Sequence, residues 1–187
     1  MSDYPVTTIA SAPEGSRELL EATERALGFV PNLHGVLAHS PTLLKSYVDL
    51  TANFGGSSFD KVEQQVVLLS VSFENGCTYC VGAHSMAANM VGMDEATLAA
   101  IRDGEALPDA KLSALARLTR EIVSSEGYPS DAALGDFLAA GYKRAQVLDV
   151  IVGVALKTMS NYTNHIAETP LDEAFAPFAS SGAAVAT

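Results

Sequence analysis

Cys77 and Cys80 are the two cysteines of the chain, and His84 follows them in the stretch Glu74-Asn75-Gly76-Cys77-Thr78-Tyr79-Cys80-Val81-Gly82-Ala83-His84. On a helix, residues three and four apart share a face, so Cys77, Cys80 and His84 project together. A thiol at a helix start is favoured as a thiolate by free backbone N–H groups and the positive end of the dipole. A C-x-x-C pair closes into a disulfide, with one sulfur attacking and the other resolving. A histidine beside it takes or returns a proton near neutral pH. The same residue types suit two other readings. One is a zinc site of two thiolates, His84 and a fourth ligand such as His165; the other is a pair of structural core cysteines. Pairing on one face with His84 favours the redox dithiol. No second C-x-x-C or H-x-x-x-H follows to complete a zinc motif. All three readings remain open on the residues alone.

The elements that position this trio read as helices. Apolar spacing at Leu19, Leu20, Thr23, Ala26 and Leu27 marks a helix from Ser16 that Gly28 stops. Asn32 is suited to cap a short helix through His39, and Pro41 opens the next after Ser40, which ends at Gly55-Gly56. A fourth helix starts at Ser58 or Asp60 and stops near Asn75-Gly76, and Thr78 to Val91 follows as a helix rich in small residues. Asp94 and Ser130 each cap a further helix, ending near Gly104 and Gly141, and between them a helix covers Asp109 to Ser125. The last and longest runs from Lys143 to Ala167, with Val147, Val150, Ile151, Val154 and Thr158 as its apolar stripe and Leu148, Val152, Ala155 and Met159 widening it. A helix apolar on more than one side belongs at the centre or at a subunit contact. No alternating strand pattern and no phosphate-binding glycine motif occurs. The expectation is an all-α fold of about eight helices in one domain over residues 1–187, with an extended arm over 1–13 and a tail over 170–187. That tail, through Leu171, Phe175 and Phe178, is suited to dock on a neighbouring subunit. What precedes Cys77 is helical, so the βαβ setting of a thioredoxin-type C-x-x-C is missing.

Composition limits the function classes. The chain has 187 residues, 48% apolar and 18% charged, enough to bury a core without disorder. Lys plus Arg number 11 against 22 Asp plus Glu, a net charge of −11 that disfavours nucleic acid and anionic membranes as partners. Two cysteines are too few for a secreted disulfide scaffold. The start, Met1-Ser2-Asp3-Tyr4-Pro5, reads as no signal peptide, and the longest apolar run is interrupted by Asp149 and Lys157, so a cytoplasmic protein without a membrane span is expected.

The stretch 59–93, FDKVEQQVVLLSVSFENGCTYCVGAHSMAANMVGM, resembles the core of the AhpD-like alkylhydroperoxidases within the carboxymuconolactone decarboxylase family, most closely in Asn-Gly-Cys-x-Tyr-Cys-x-x-x-His. Gly28-Phe29-Val30-Pro31-Asn32-Leu33 resembles the members described as peroxidase-related. The resemblance implies an all-α fold that assembles as a homo-oligomer (trimer, hexamer or dimer). It implies reduction of organic hydroperoxides in antioxidant defence with no cofactor. The reductant would be an external dithiol, a protein or a lipoyl-type donor. By that likeness Cys80 matches the peroxide-attacking thiol, Cys77 the resolving thiol and His84 the proton-relay histidine. The family's relay glutamate falls at Gln65 here, and Tyr79 stands where some members carry a histidine. Glu63 is retained as a catalytic candidate, although two residues on a helix lie about 200° apart. Glu74 is a further candidate. Decarboxylases of this family generally lack the cysteine pair, so the non-redox alternative ranks below the peroxidase.

Overall fold

The computed structural model describes residues 3–179, so the first two residues of the expected arm and residues 180–187 of the expected tail lie outside it. Among the described residues there are nine α-helices and no strand. They are α1 (Glu14–Leu27), α2 (Asn32–Leu37), α3 (Pro41–Gly55), α4 (Lys61–Glu74), α5 (Thr78–Met90), α6 (Glu95–Asp103), α7 (Ala110–Ser124), α8 (Asp131–Ala139) and α9 (Arg144–Ala167), followed by a 3-10 segment, Glu173–Phe178. None of these helices is long and apolar enough to cross a membrane.

Local chemistry sets the boundaries. Ser40, Asp94, Asp109 and Ser130 each accept a hydrogen bond from a backbone N–H in the first turn of the helix they precede. Asp60 and Glu63 form a reciprocal capping box at the start of α4. Asn32 does not cap α2; it begins the helix, and its backbone N–H donates to the Asp172 carboxylate at 3.1 Å. A side chain far along the chain satisfies the orphan donor that the sequence assigned to a local cap.

The core follows from α4, which is buried without interruption from Val66 to Ser72 and packs against α5, α7 and α9. Phe54, Val66, Val67, Leu69, Leu115, Leu118, Phe137 and Val150 form the main apolar cluster. A second cluster joins Leu20, Leu33, Leu37, Leu44 and Phe175 to Tyr79 and both cysteines.

The longest helix differs from its expected stripe. Its buried face is Val150, Gly153, Leu156, Lys157, Ser160, Asn161, Asn164 and Ala167, while Leu148 and Ile151 are exposed. Apolar residues occupy two sides of α9, so periodicity alone did not choose between them. Close approach chose: a Cβ on Gly153 would sit 2.6 Å from Val67 Cγ1 and 3.0 Å from Phe54 Cε2. Glycine here lets α9 close on α3 and α4. One turn onward from Gly153 the buried face turns polar, at Lys157.

The described part of the tail docks on its own chain. Phe175 packs edge-on against Tyr79 and Phe29, and the 3-10 segment lies along α5. Tyr79 Oη donates to Asp172 at 2.5 Å and accepts from the Leu33 backbone N–H at 3.1 Å. The apolar face of α5 beside the cysteines supplies a partner within the same chain, which is why the expected docking on a neighbour is not needed for residues up to 179.

Candidate active site

Gly76, with φ +64, turns the chain from α4 into α5 within two residues of the end of α4. Cys77 is the N-cap of α5, and Cys80 sits in its first turn. Both cysteines are free, and each is 1% exposed. The side chains that meet them come from α9. Asn164 Nδ2 donates to Cys80 Sγ at 3.2 Å and lies 3.7 Å from Cys77 Sγ. Ser160 Oγ lies 3.8 Å from Cys80 Sγ. Lys157, 1% exposed, completes this face one turn before Ser160 and Asn161.

His84 projects from α5 on the side of the cysteines but bonds to neither sulfur. Its Nε2 is 2.9 Å from Lys157 Nζ, and its Nδ1 is 3.0 Å from Gln65 Oε1. An ammonium only donates and an amide oxygen only accepts, so the partners assign a neutral ring protonated at Nδ1. Burial, then the charge of Lys157, holds His84 well below the usual histidine range, in keeping with that tautomer.

The two thiols are driven apart. Burial alone would raise Cys80, but its hydrogen bond with Cys77, the charge and N–H of Lys157 and the Ser160 hydroxyl outweigh it and hold the thiol well below its ordinary value. Cys77 moves the other way, first through its hydrogen bond to Cys80, then through burial, then through the charge on Cys80. Burial would lower Lys157, yet the facing Cys80, Tyr47 and Cys77 raise it. The arrangement is therefore one thiolate and one thiol side by side, with an ammonium facing the thiolate. A thiolate beside a thiol has the chemistry a nucleophile with a resolving partner would need.

The other candidates stand apart. The Glu63 carboxylate accepts from the Asp60 backbone N–H at 3.0 Å and from Lys111 Nζ at 2.7 Å, at the start of α4. It makes no bond to His84, Lys157 or either cysteine, because Gln65, on a different side of the helix, takes the position facing His84. Glu74 is exposed at the end of α4. His165 is exposed and stacks on Tyr162 at 6.5 Å between ring centroids, so it does not complete a ligand set with the thiols. Among the described residues no group of three His, Cys, Asp or Glu is arranged to hold a metal ion.

Lys157, Ser160 and Asn164 were missed as site residues. Lys157 registered in the sequence only as an interruption of an apolar run. Yet three polar residues recur at helical spacing in line with Val150 and Gly153, and that periodicity was a usable signal.

The sequence model of the carboxymuconolactone decarboxylase family matches residues 41–121, which include Gln65, both cysteines and His84. No curated protein matches the chain in sequence. Solved structures share its fold. One is the alkylhydroperoxidase AhpD core of a peroxidase-related protein from Ralstonia eutropha JMP134, with TM-score 0.79 and 20% identity over 93% of this chain and 94% of that one. A second is a peroxidase-related protein from Silicibacter sp. TM1040, with TM-score 0.79 and 19% identity over 92% of each chain. A third is the debrominase Bmp8, with TM-score 0.80 and 14% identity over 95% of this chain and 96% of that one. A cysteine-to-alanine variant of Bmp8 has also been solved in complex with 2,3,4-tribromopyrrole.

Proposed function

We propose that this chain, which belongs to the carboxymuconolactone decarboxylase family through residues 41–121 and has the AhpD-like fold, is a thiol-dependent peroxidase acting on organic hydroperoxides. The observation that carries the reading is the split between the two thiols. Cys80, which accepts from Asn164 Nδ2 at 3.2 Å, is lowered by its hydrogen bond with Cys77 and by the charge of Lys157, while Cys77 beside it is raised, which favours a thiolate at Cys80 and a thiol at Cys77. A thiolate attacks a peroxide oxygen, and a neighbouring thiol is what the resulting sulfenic acid condenses with.

In this reading Cys80 is the peroxidatic residue and Cys77 the resolving one. The disulfide is reduced by an external dithiol, a protein or a lipoyl-type donor. His84 keeps its relay role at one remove: it orients Lys157 rather than the sulfur. Leu148, Ile151, Tyr162 and Ile166, exposed along α9, support the expected self-association.

The test is hydroperoxide consumption with a dithiol reductant. Cys80→Ser is expected to abolish it, and Cys77→Ser to leave one stoichiometric turnover ending in a sulfenic acid. Undiminished turnover in Cys80→Ser would sink the reading. The debrominase of like fold makes a halogenated aromatic compound the comparison substrate in the same assay.

A further inference from the structure

We infer that Lys157 is the counter-ion of the reduced dithiol and gives up its proton when the dithiol is oxidised, so that electron and proton transfer are coupled at this site. The inference deepens the dithiol reading above and rests on it.

Lys157 is 1% exposed, and among the described residues it meets no carboxylate. Its Nζ is bonded to His84 Nε2 at 2.9 Å. The groups facing it are Tyr47 from α3 and Cys77, Cys80 and His84 from α5. From α4 comes only uncharged Gln65, by way of His84. His34 of α2 reaches the Tyr47 ring, edge-on at 5.4 Å between centroids. The charged side chains of α7 are committed elsewhere, Lys111 to Glu63, Arg117 to Glu121 and Asp136, Arg120 to the Gly104 carbonyl, and Glu121 also to Ser130. Tyr47 is pushed up chiefly by burial and stays neutral. Among the described residues the Cys80 thiolate is thus the one negative charge that balances Lys157.

A buried ammonium persists only while it is paired. Most buried ion pairs join groups whose charges are fixed at neutral pH. This one joins a lysine to a sulfur whose charge disappears on oxidation.

The Cys80 thiolate attacks the distal oxygen of the hydroperoxide; the S–O bond forms, the O–O bond breaks, and the leaving alkoxide takes the proton from Lys157 to become the alcohol. Cys77 sulfur then displaces the hydroxyl of the Cys80 sulfenic acid. The S–S bond forms, and the Cys77 proton leaves with the hydroxyl as water. The oxidised site holds a disulfide and a neutral lysine. An external dithiol returns two electrons and two protons, restoring the Cys80 thiolate, the Cys77 thiol and the Lys157 ammonium, and is itself oxidised to its disulfide.

The test needs no peroxide, so its failure is distinct from failure of the peroxidase reading. Thiolate ultraviolet absorbance of the reduced full-length protein is expected to show one thiolate per chain at neutral pH. Lys157→Arg, which keeps the charge, should retain it; Lys157→Met should lose it. The equilibrium constant between the protein dithiol and dithiothreitol, followed between about pH 6 and about pH 8, is expected to stay constant, because two protons then accompany two electrons on both sides. If Lys157 kept its proton in the disulfide form, that constant would change roughly tenfold per pH unit. Such a change, or a thiolate that survives in Lys157→Met, overturns the inference. The equilibrium measurement uses the unaltered protein, so it decides even if a variant fails to fold.

Discussion

At the start of α4 the ammonium of Lys111 meets the buried Glu63 carboxylate at 2.7 Å; further along the same helix Gln65 anchors His84, which holds Lys157. The first lysine is half exposed, lies over the Tyr142 ring at 4.6 Å, and has for its partner a carboxylate, which oxidation of the dithiol does not alter. The second is buried, and its partner is a sulfur. A carboxylate makes a lysine part of the scaffold. An oxidisable partner makes the lysine respond to the redox state of the site. Both clusters contain an acid–base pair near the same helix, so composition does not separate them; the kind of counter-charge does.

The sharpest way to break that contrast is to remove each lysine in turn and follow the rate of reaction with an organic hydroperoxide. Without Lys157 the Cys80 thiol returns toward its ordinary range, where roughly three molecules in a hundred are ionised at neutral pH. Lys157→Met is therefore expected to slow the reaction about thirtyfold at pH 7, with the deficit shrinking as pH rises into the thiol range. Lys111→Met is expected to leave the rate unchanged. Equal losses in the two variants would mean that the contrast is false.

A smaller effect comes from moving α9 without touching a polar group. Gly153→Val places methyl groups where a Cβ alone would already sit 2.6 Å from Val67 Cγ1. Overpacking of this kind costs about 1–3 kcal/mol, which denaturant unfolding measures. Lys157 lies one turn away on the displaced helix, whereas Lys111 lies on α7. The variant should therefore also weaken the thiolate absorbance while leaving the Glu63–Lys111 pair in place. Stability lost with the absorbance fully kept would uncouple the close approach from the site.

The helix boundaries were largely legible because they are local. Ser40, Asp94 and Ser130 cap where a short polar side chain precedes an apolar period, and the structure uses each of them; Asp109, read as the first residue of its helix, is its cap. Cys77, Cys80 and His84 were also legible as one face, since spacing alone fixes it. What the sequence hid depends on contacts between distant segments. The inward side of α9 is set by Gly153 against Val67 and Phe54, and Asp172 caps α2 from the far end of the chain. A lysine in an apolar run reads as an interruption until the helix it faces is known. Gln65, met as a departure from the expected glutamate, turned out to touch His84, because an amide anchors a neutral ring as well as a carboxylate would.

The smallest effect is expected at Glu63. Glutamine is also suited to the inner position of a capping box, so Glu63→Gln keeps the bond to the Asp60 backbone N–H, while its amide N–H2 replaces the oxygen facing Lys111 and removes both the charge and the acceptor there. Lys111 is half exposed and hydrates readily once unpaired, which limits the loss to about 0.5–1 kcal/mol. Hydroperoxide consumption should match that of the unaltered protein across the pH range, since no bond joins Glu63 to His84, Lys157 or a sulfur. A glutamate that fed protons to the thiols would show itself here as a large fall in rate with little change in stability. That outcome would shift the relay from the middle of α4 to its start and undo the distinction between the two lysines.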